Sequence, residues 1–130
     1  MKLLLDTHVW VWCASTSSRL GPRVRRAIES TANEIWISPI STWEVILLSD
    51  RGRLSLDPDP ISWLRAAFAA LPARETPLNH AIAIASRRID LPHDDPADRF
   101  LAATAKFLDL TLVTADERLL GCREIKTLRA

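Results

Sequence analysis

The stretch KLLLDTHVWVWCAS, residues 2–15, places an acid between two apolar segments of different character. Its first part, KLLLD (2–6), is an unbroken apolar run that ends in the acid. Such a run is typical of a strand buried on both faces of a parallel sheet. Its second part, THVWVWCAS (7–15), predicts a short helix. A buried strand followed at once by a helix indicates that strands and helices alternate in this fold.

The rest of the chain continues this alternation. Further strands are predicted at EIWIS (34–38), RETPL (74–78), LTLVTAD (110–116) and EIKTL (124–128). Helices are predicted at GPRVRRAIESTA (21–32), SPISTWEVILLSDRG (38–52), DPISWLRAAFAAL (59–71), NHAIAIASRRI (79–89) and DPADRFLAATAKF (95–107), with a helical turn at ERLL (117–120). The order predicts a single α/β domain over residues 1–130 with a mainly parallel sheet. Sheets of this kind bind ligands outside the carboxyl ends of their strands, where the strand order reverses.

Composition narrows the class of protein. The chain has 130 residues, of which 48% are hydrophobic and 25% charged, as in globular proteins. No run approaches the roughly 18–20 apolar residues of a membrane span. The apolar run in MKLLLD is too short for a signal peptide, so we expect a cytoplasmic protein with Cys13 and Cys122 as free thiols. A net charge of +1 argues against binding nucleic acid by bulk charge, but it allows a local phosphate site.

Two acids follow predicted strands. Asp6 ends the first strand, and Asp116 ends the strand at 110–116. Both acids therefore fall at the sheet edge where ligands bind in α/β folds. Helix capping is the alternative explanation for either acid alone, because aspartate is a favoured N-cap residue.

Glu44 lies on the apolar stripe of its predicted helix. At about 100° per residue, it shares a face with Ile40 and Leu48, where an unpaired glutamate would be costly. A capping box from Ser41 to Glu44 is the alternative. Because Ser38 followed by proline is the better helix start, Glu44 falls in the second turn, out of reach of the cap.

The segment DDPADR contains acids of two kinds. Asp95 stands directly before a proline, which is the usual order of an N-cap and the first helical residue. Asp98 lies one turn into the same helix, beside the inward-facing Leu101, at the inner margin of the apolar arc. The alternative for Asp98 is a first-turn acid that complements the helix dipole.

The four acids Asp6, Glu44, Asp98 and Asp116 come from four separate elements that could point to one end of the sheet. Clustered carboxylates repel one another unless a cation neutralises them. Oxygen-only ligands suit Mg²⁺ or Mn²⁺, and Mg²⁺ usually keeps several waters and binds a substrate phosphate. The pattern therefore favours metal-assisted hydrolysis of a phosphodiester. The sequence has no Walker loop, GxGxxG or HExxH motif that would suggest other chemistry.

Four segments, in this order and spacing, cover nearly the whole chain: LLLDTHVW, SPISTWEV, DDPADRFLAATA and LVTADERL. Through them the sequence resembles the PIN-domain family and, within it, the VapC-type toxins of bacterial toxin–antitoxin pairs. The resemblance implies an α/β/α sandwich around a parallel sheet. It also implies an endoribonuclease that depends on Mg²⁺ or Mn²⁺.

The resemblance further implies roles for individual residues. The first three acids of the family match Asp6, Glu44 and Asp98, and its variable fourth acid matches Asp116. Asp6 and Asp98 are then expected to bind the metal directly. Glu44 and Asp116 are expected to act through water or to position the nucleophile.

Four further positions match supporting residues of the family: Thr7, Ser41, Asp95 and Arg99. Thr7 is the small hydroxyl residue after the first acid, and Ser41 precedes the Trp-Glu pair. Asp95 is expected to have a structural or outer-shell role. Arg99 is expected to hold Asp95 or to reach a phosphate.

The resemblance also implies partners, namely an RNA substrate, a second copy in a homodimer, and a small cognate antitoxin. The antitoxin's tail is expected in a groove near the third and fourth helices. The large apolar residues of those helices include Trp43, Val45, Ile46, Trp63, Leu64 and Phe68. Plain core packing is the alternative for these residues, and it is favoured for most of them.

Two other function classes remain open from the residues alone. A phosphoryl-transfer protein, such as a receiver or a phosphatase, also has an aspartate at a strand end. However, a receiver has a lysine after a late strand, and LVTADE contains no lysine. A phosphatase of the aspartyl type has a second aspartate two residues after the first, and position 8 is histidine. A non-catalytic interaction module would keep the acids only as helix caps. The three histidines, His8, His80 and His93, form no ligand set and are expected to be surface or capping residues.

Overall fold

The computed structural model describes residues 1–15 and 17–130. The strands are β1 (Lys2–Leu5), β2 (Glu34–Ile37), β3 (Arg74–Glu75), β4 (Thr111–Thr114) and β5 (Lys126–Arg129). The helices are α1 (Thr7–Ala14), α2 (Pro22–Glu29), α3 (Pro39–Asp50), α4 (Pro60–Ala70), α5 (His80–Arg88), α6 (Pro96–Leu108) and α7 (Glu117–Leu120). The strands form one parallel sheet in the order β3-β2-β1-β4-β5. The predicted α/β class is therefore confirmed.

One predicted strand is shorter than expected. RETPL was predicted as a strand over 74–78, but β3 contains only Arg74–Glu75. Thr76 still donates its backbone N–H to the Ile37 carbonyl, at 3.1 Å. Pro77 has no N–H to donate, so the ladder between β2 and β3 ends there.

The alternation of side chains along β1 divides the protein into three layers. Leu3 and Leu5 point to one face of the sheet, where they pack in a core with residues of α1, α2, α3 and α4. Leu4 points to the other face and packs with residues of α6 and the segment after it. All three leucines are fully buried. A strand buried on both faces requires helices on both sides, so the result is an α/β/α sandwich.

Helix α6 lies close against the sheet because its inner face is made of small residues. Ala102 and Ala105 are buried in the same core as Leu4, with Leu101 beside them. Alanine side chains allow close backbone approach while keeping good helix propensity. The close packing fixes the start of α6, and hence Asp98, relative to the end of β1.

The strand order reverses between β1 and β4. From β1 the chain continues to β2 on one side of the sheet, and β4 pairs with β1 on the other side. The carboxyl ends of the two strands are tied together, since the Asp6 N–H donates to the Val113 carbonyl at 3.0 Å. This is the reversal point at which α/β folds bind ligands.

Two further expectations concern the whole chain. Cys13 and Cys122 are both free thiols, as predicted. Among the described residues, no helix has the length and apolar character that crossing a bilayer requires.

We expect the close packing of α6 to tolerate no added volume. Ala102→Leu should lower the free energy of unfolding by about 1–3 kcal/mol, because the extra atoms would force the helix away from the sheet. Ala66→Leu, on the exposed side of α4, is the matched control and should change it by less than about 0.5 kcal/mol. Urea denaturation measures both values, and equal effects would contradict the close packing of α6.

Candidate active site

A cavity of about 260 Å³ opens at the reversal point of the sheet. Its walls include all four acids proposed from the sequence, and they arrive from four different elements. The lining residues are Asp6, His8, Trp12, Glu44, Asp95, Asp98, Ala115, Asp116 and Arg118. The sheet order and the helix starts thus bring together carboxylates that are far apart in the chain.

Asp6 is buried, and both of its carboxylate oxygens accept hydrogen bonds. Its Oδ1 accepts from the Thr7 backbone N–H at 2.7 Å, which caps α1. Its Oδ2 accepts from the Thr114 hydroxyl at 2.7 Å, across the β1–β4 pair. Burial raises the pKa of Asp6 above its ordinary value, and the two hydrogen bonds oppose that rise only in part.

Thr114 is a site-forming residue that the sequence reasoning missed. It is fully buried at the end of β4. Besides donating to Asp6, its Oγ1 accepts from the Asp116 backbone N–H at 3.0 Å. Thr114 therefore links two of the acids. The signal was a threonine in an otherwise apolar strand end, two residues before an acid.

The side chains of Thr7 and Ser41 connect α1 to α3. The Thr7 hydroxyl donates to Ser41 Oγ at 3.0 Å, and both residues are buried. This bond holds the first turn of α3 beside the start of α1. Glu44 follows on α3 and thereby faces the same cavity as Asp6.

Glu44 does not belong to a capping box. Ser38 is the N-cap of α3, and its Oγ accepts from the Ile40 backbone N–H at 3.1 Å. Glu44 is thus in the second turn, as the helix-start signal predicted. Burial raises the pKa of Glu44, the Thr7 side chain lowers it, and the charges of Asp6 and Asp95 raise it further.

Asp98 is buried at the start of α6, with about 8% of its surface exposed. Asp95 caps this helix, since its Oδ1 accepts from the Asp98 backbone N–H at 3.0 Å. The Asp98 side chain bonds instead with His93 Nε2, at 2.8 Å. Burial raises the pKa of Asp98 to about 6, with the His93 hydrogen bond acting in the opposite direction.

Asp116 differs electrostatically from the other three acids. It caps the short helix α7 by accepting the Arg118 backbone N–H at 2.8 Å. Its two oxygens also accept from the Arg118 guanidinium, at 3.2 Å from Nε and 3.0 Å from Nη2. This pairing lowers the pKa of Asp116 below its ordinary value.

The expectation that Arg99 holds Asp95 or reaches a phosphate is wrong for this structure. Its guanidinium is buried and donates to four backbone carbonyls, those of Ser86, Ile89, Leu91 and His93. A cation at these carbonyls suits the negative end of α5. Arg99 therefore supports the site indirectly: it fixes the loop that carries His93, and His93 contacts Asp98.

One of the three histidines differs from expectation, whereas His8 and His80 are exposed as predicted. His93 was expected at the surface or in a cap, but its half-buried ring contacts Asp98. Within the described part of the chain, its buried Nδ1 has no hydrogen-bond partner. Nε2 therefore carries the hydrogen that Asp98 accepts when the imidazole is neutral. His8, although exposed, lines the cavity beside Trp12.

The donors in the cavity fit a hard divalent cation. They are carboxylate oxygens, which Mg²⁺ and Mn²⁺ prefer. Over residues 1–15 and 17–130, no three carboxyl, imidazole or thiol groups stand close enough to form a ready metal cluster. Mg²⁺ characteristically binds through one or two carboxylates and keeps several waters.

A larger cavity, of about 550 Å³, lies between the ends of α2 and α4 and the start of β2. It is lined by Glu29, Glu34 and Arg74 among otherwise uncharged residues. Its residues come from the amino-end side of β2, opposite to the edge where α/β sheets bind ligands. The smaller cavity is therefore the better candidate for chemistry.

The raised pKa of Asp98 predicts a pH dependence of stability in the metal-free protein. The folded state holds this proton up to about pH 6, whereas the ordinary value is 3.8. Stability should therefore fall as the pH rises from about 4 to about 6 and stay low above it. Asp98→Asn should flatten that fall and raise the free energy of unfolding at pH 7 by about 1–3 kcal/mol.

Urea denaturation across this pH range, in the presence of a chelator, tests the expectation. Asp94→Asn is the matched control, because Asp94 is exposed in the preceding loop. If Asp98→Asn is no more stable than wild type at pH 7, burial of the charged Asp98 carboxylate does not destabilise the metal-free protein, and the expectation is wrong.

The four carbonyl bonds of Arg99 predict a large structural effect. Arg99→Ala should lower the free energy of unfolding by about 3 kcal/mol or more, because several buried carbonyls lose their donor. Arg88→Ala, on the exposed side of α5, should have little effect. Thermal and urea denaturation measure both, and a small effect at Arg99 would mean that water replaces the guanidinium.

Comparison with known proteins agrees with the geometry. The chain matches the PIN domain family model over residues 3–123. It is 33% identical over 120 residues to Ribonuclease VapC22 of Mycobacterium tuberculosis (strain ATCC 25618 / H37Rv), covering 90% of this chain and 88% of that protein.

Solved structures share the fold. VapBC2 from Rickettsia felis, bound to a DNA fragment from its promoter, matches with a TM-score of 0.71 and 15% identity, over 99% of this chain and 98% of that one. DNA-bound VapBC from Salmonella typhimurium matches with a TM-score of 0.71 and 20% identity, over the same shares of the two chains. Since the family model covers nearly the whole chain, the chain belongs to the PIN-domain family, as its motifs predicted.

Proposed function

We propose that this chain is the endoribonuclease toxin of a toxin–antitoxin pair, and that residues 1–130 form a single nuclease domain. The observation that carries the proposal is the convergence of four carboxylates from four elements on one cavity at the reversal point of the sheet. Similarity to a protein named as a ribonuclease supports the reaction class. The ion is Mg²⁺ or Mn²⁺, because the donors are oxygens.

In this proposal Asp6 and Asp98 hold the ion directly. Glu44 and Asp116 hold it through water or orient the attacking water. When bound, such an ion lowers the pKa of a water and stabilises negative charge on the phosphate.

The residues of the chain prepare this site in distinct ways. Thr114 and the Thr7 backbone N–H fix the Asp6 carboxylate from two sides. His93 orients Asp98. Glu44 is poised to accept a hydrogen bond from water, because burial raises its pKa and makes it a stronger base.

Recognition of RNA would use the rim of the cavity. His8 and the half-buried Trp12 present aromatic rings beside the acids. Aromatic rings stack on the unpaired bases of single-stranded RNA loops. The rim therefore fits a looped or single-stranded substrate whose phosphate reaches the acids.

Partner binding is proposed from exposed apolar side chains on α3 and α4. Trp43 is 48% exposed and Phe68 is 47% exposed. Of the other four residues proposed from the sequence, Val45 and Leu64 are buried, and Ile46 and Trp63 pack against the core, as the packing alternative expected. Two solved structures with this fold are VapBC complexes. We therefore propose that this face binds a cognate antitoxin, and that the chain forms a homodimer.

The competing function classes have less support. Asp6, Asp95 and Asp116 do cap helices, as a non-catalytic module would require. Glu44 caps nothing, although it lines the same cavity. A receiver would need a lysine after the late strand, and the residues that follow β4 are Ala115 and Asp116. An aspartyl phosphatase would need a second aspartate two residues after Asp6, where this chain has His8.

The purified protein should cleave RNA when Mg²⁺ or Mn²⁺ is present and should stop when the ion is chelated. Asp6→Asn and Asp98→Asn should each reduce cleavage by about two orders of magnitude or more, because each removes a charged ligand. Asp50→Asn, exposed at the end of α3, is the matched control. A gel assay on a labelled RNA measures the rates.

Circular dichroism should show all three variants folded. Undiminished cleavage by both Asp6→Asn and Asp98→Asn would overturn the proposal. Cleavage that persists in chelator would overturn its metal dependence.

A further inference from the structure

Arg118 stands between two of the acids that line the cavity. Its Nη2 lies 3.0 Å from Asp116 Oδ2 and 3.7 Å from Asp98 Oδ2. Its Nε lies 3.2 Å from Asp116 Oδ1. One guanidinium therefore spans the acid that follows β4 and the acid at the start of α6.

These contacts hold Arg118 by charge rather than by packing. Its side chain remains about 53% exposed, whereas that of Asp98 is about 11% exposed. Asp116 already has a partner in the α7 backbone, and Asp98 already has one in His93. The guanidinium thus supplies positive charge to oxygens that are otherwise hydrogen-bonded, from a position at the mouth of the cavity.

We propose that Arg118 is a displaceable cation: it neutralises Asp98 and Asp116 while the metal site is empty, and it moves to the RNA phosphate when a divalent ion binds. This inference rests on the proposed function, since it concerns the same carboxylates. Two cations a few ångströms apart repel each other, and a divalent ion gains more from two carboxylates than a guanidinium does. The ion therefore displaces Arg118 from the acids.

The released side chain has a suitable second partner. A guanidinium presents a planar fork of donors that matches two oxygens of a phosphate. Arg118 is exposed at the cavity mouth, so rotation of its side chain can turn the fork outward without disturbing the core. The arginine then contributes to substrate binding at the moment when the acids no longer need it.

The proposal predicts two effects of opposite sign in Arg118→Ala. Without RNA, its affinity for Mn²⁺ should rise on the order of five- to tenfold, because a competing positive charge is gone. With saturating Mn²⁺, its KM for a short RNA should rise by about tenfold or more, because a charged phosphate contact is lost. Isothermal titration calorimetry measures the first effect, and steady-state cleavage the second. Loss of the fold would weaken both metal and RNA binding.

Two further variants serve as controls. Arg129→Ala also removes one positive charge. Arg129 does not line the cavity, and it pairs with the exposed Glu117. This variant should leave Mn²⁺ affinity unchanged. Arg118→Lys keeps the charge, so its Mn²⁺ affinity should stay near that of wild type and part of the RNA affinity should return.

The outcomes separate this inference from the proposed function. If wild type binds Mn²⁺ and cleaves RNA, but Arg118→Ala binds Mn²⁺ no more tightly, the inference about Arg118 is wrong and the proposed function stands. An unchanged KM in Arg118→Ala would overturn the phosphate contact. If neither protein binds Mn²⁺ or cleaves RNA, the proposed function fails and the inference fails with it.

Discussion

The buried hydrogen bond between Thr114 and Asp6 is the interaction on which the candidate site depends. It joins the carboxyl ends of β1 and β4 at 2.7 Å, where the strand order reverses. A carboxylate with about 7% of its surface exposed is costly unless its oxygens find donors. Thr114 and the Thr7 backbone supply those donors, and the same two residues connect Asp6 to Asp116 and to α3.

The carboxylates of the cavity are unequally stabilised. Burial raises the pKa values of Asp6, Glu44 and Asp98, whereas Arg118 lowers that of Asp116. The protein thus keeps three acids in surroundings that disfavour their charge. Several carboxylates with raised pKa values in one cavity are typical of functional sites. A bound cation would favour the charged form of all three, so ion binding and ionisation should reinforce each other.

The sequence was sufficient for the fold and for most of the site, for identifiable physical reasons. The apolar run of β1 and the alternating elements specified the α/β class, and the Ser38-Pro39 start located Glu44 in the second turn. The sequence could not reveal contacts that depend on where a side chain points in the folded protein. Arg99 is expected from the sequence to hold Asp95 or to reach a phosphate, yet its guanidinium turns toward carbonyls contributed by α5 and the following loop. His93 and Thr114 gain their roles only when distant strands and loops are brought together.

Capping and chemistry, which compete as explanations in the sequence, are compatible in the structure. Asp6 and Asp95 cap α1 and α6, and both line the cavity, so these helices begin at its wall. The amino end of a helix carries partial positive charge and unpaired N–H groups. Two such ends beside the acids reduce the cost of burying them and favour an approaching phosphate. An aspartate that follows a strand and caps the next helix, as Asp6 does, can therefore also belong to a carboxylate site. Glu44 and Asp98, which cap no helix, are then the acids that helix capping cannot explain.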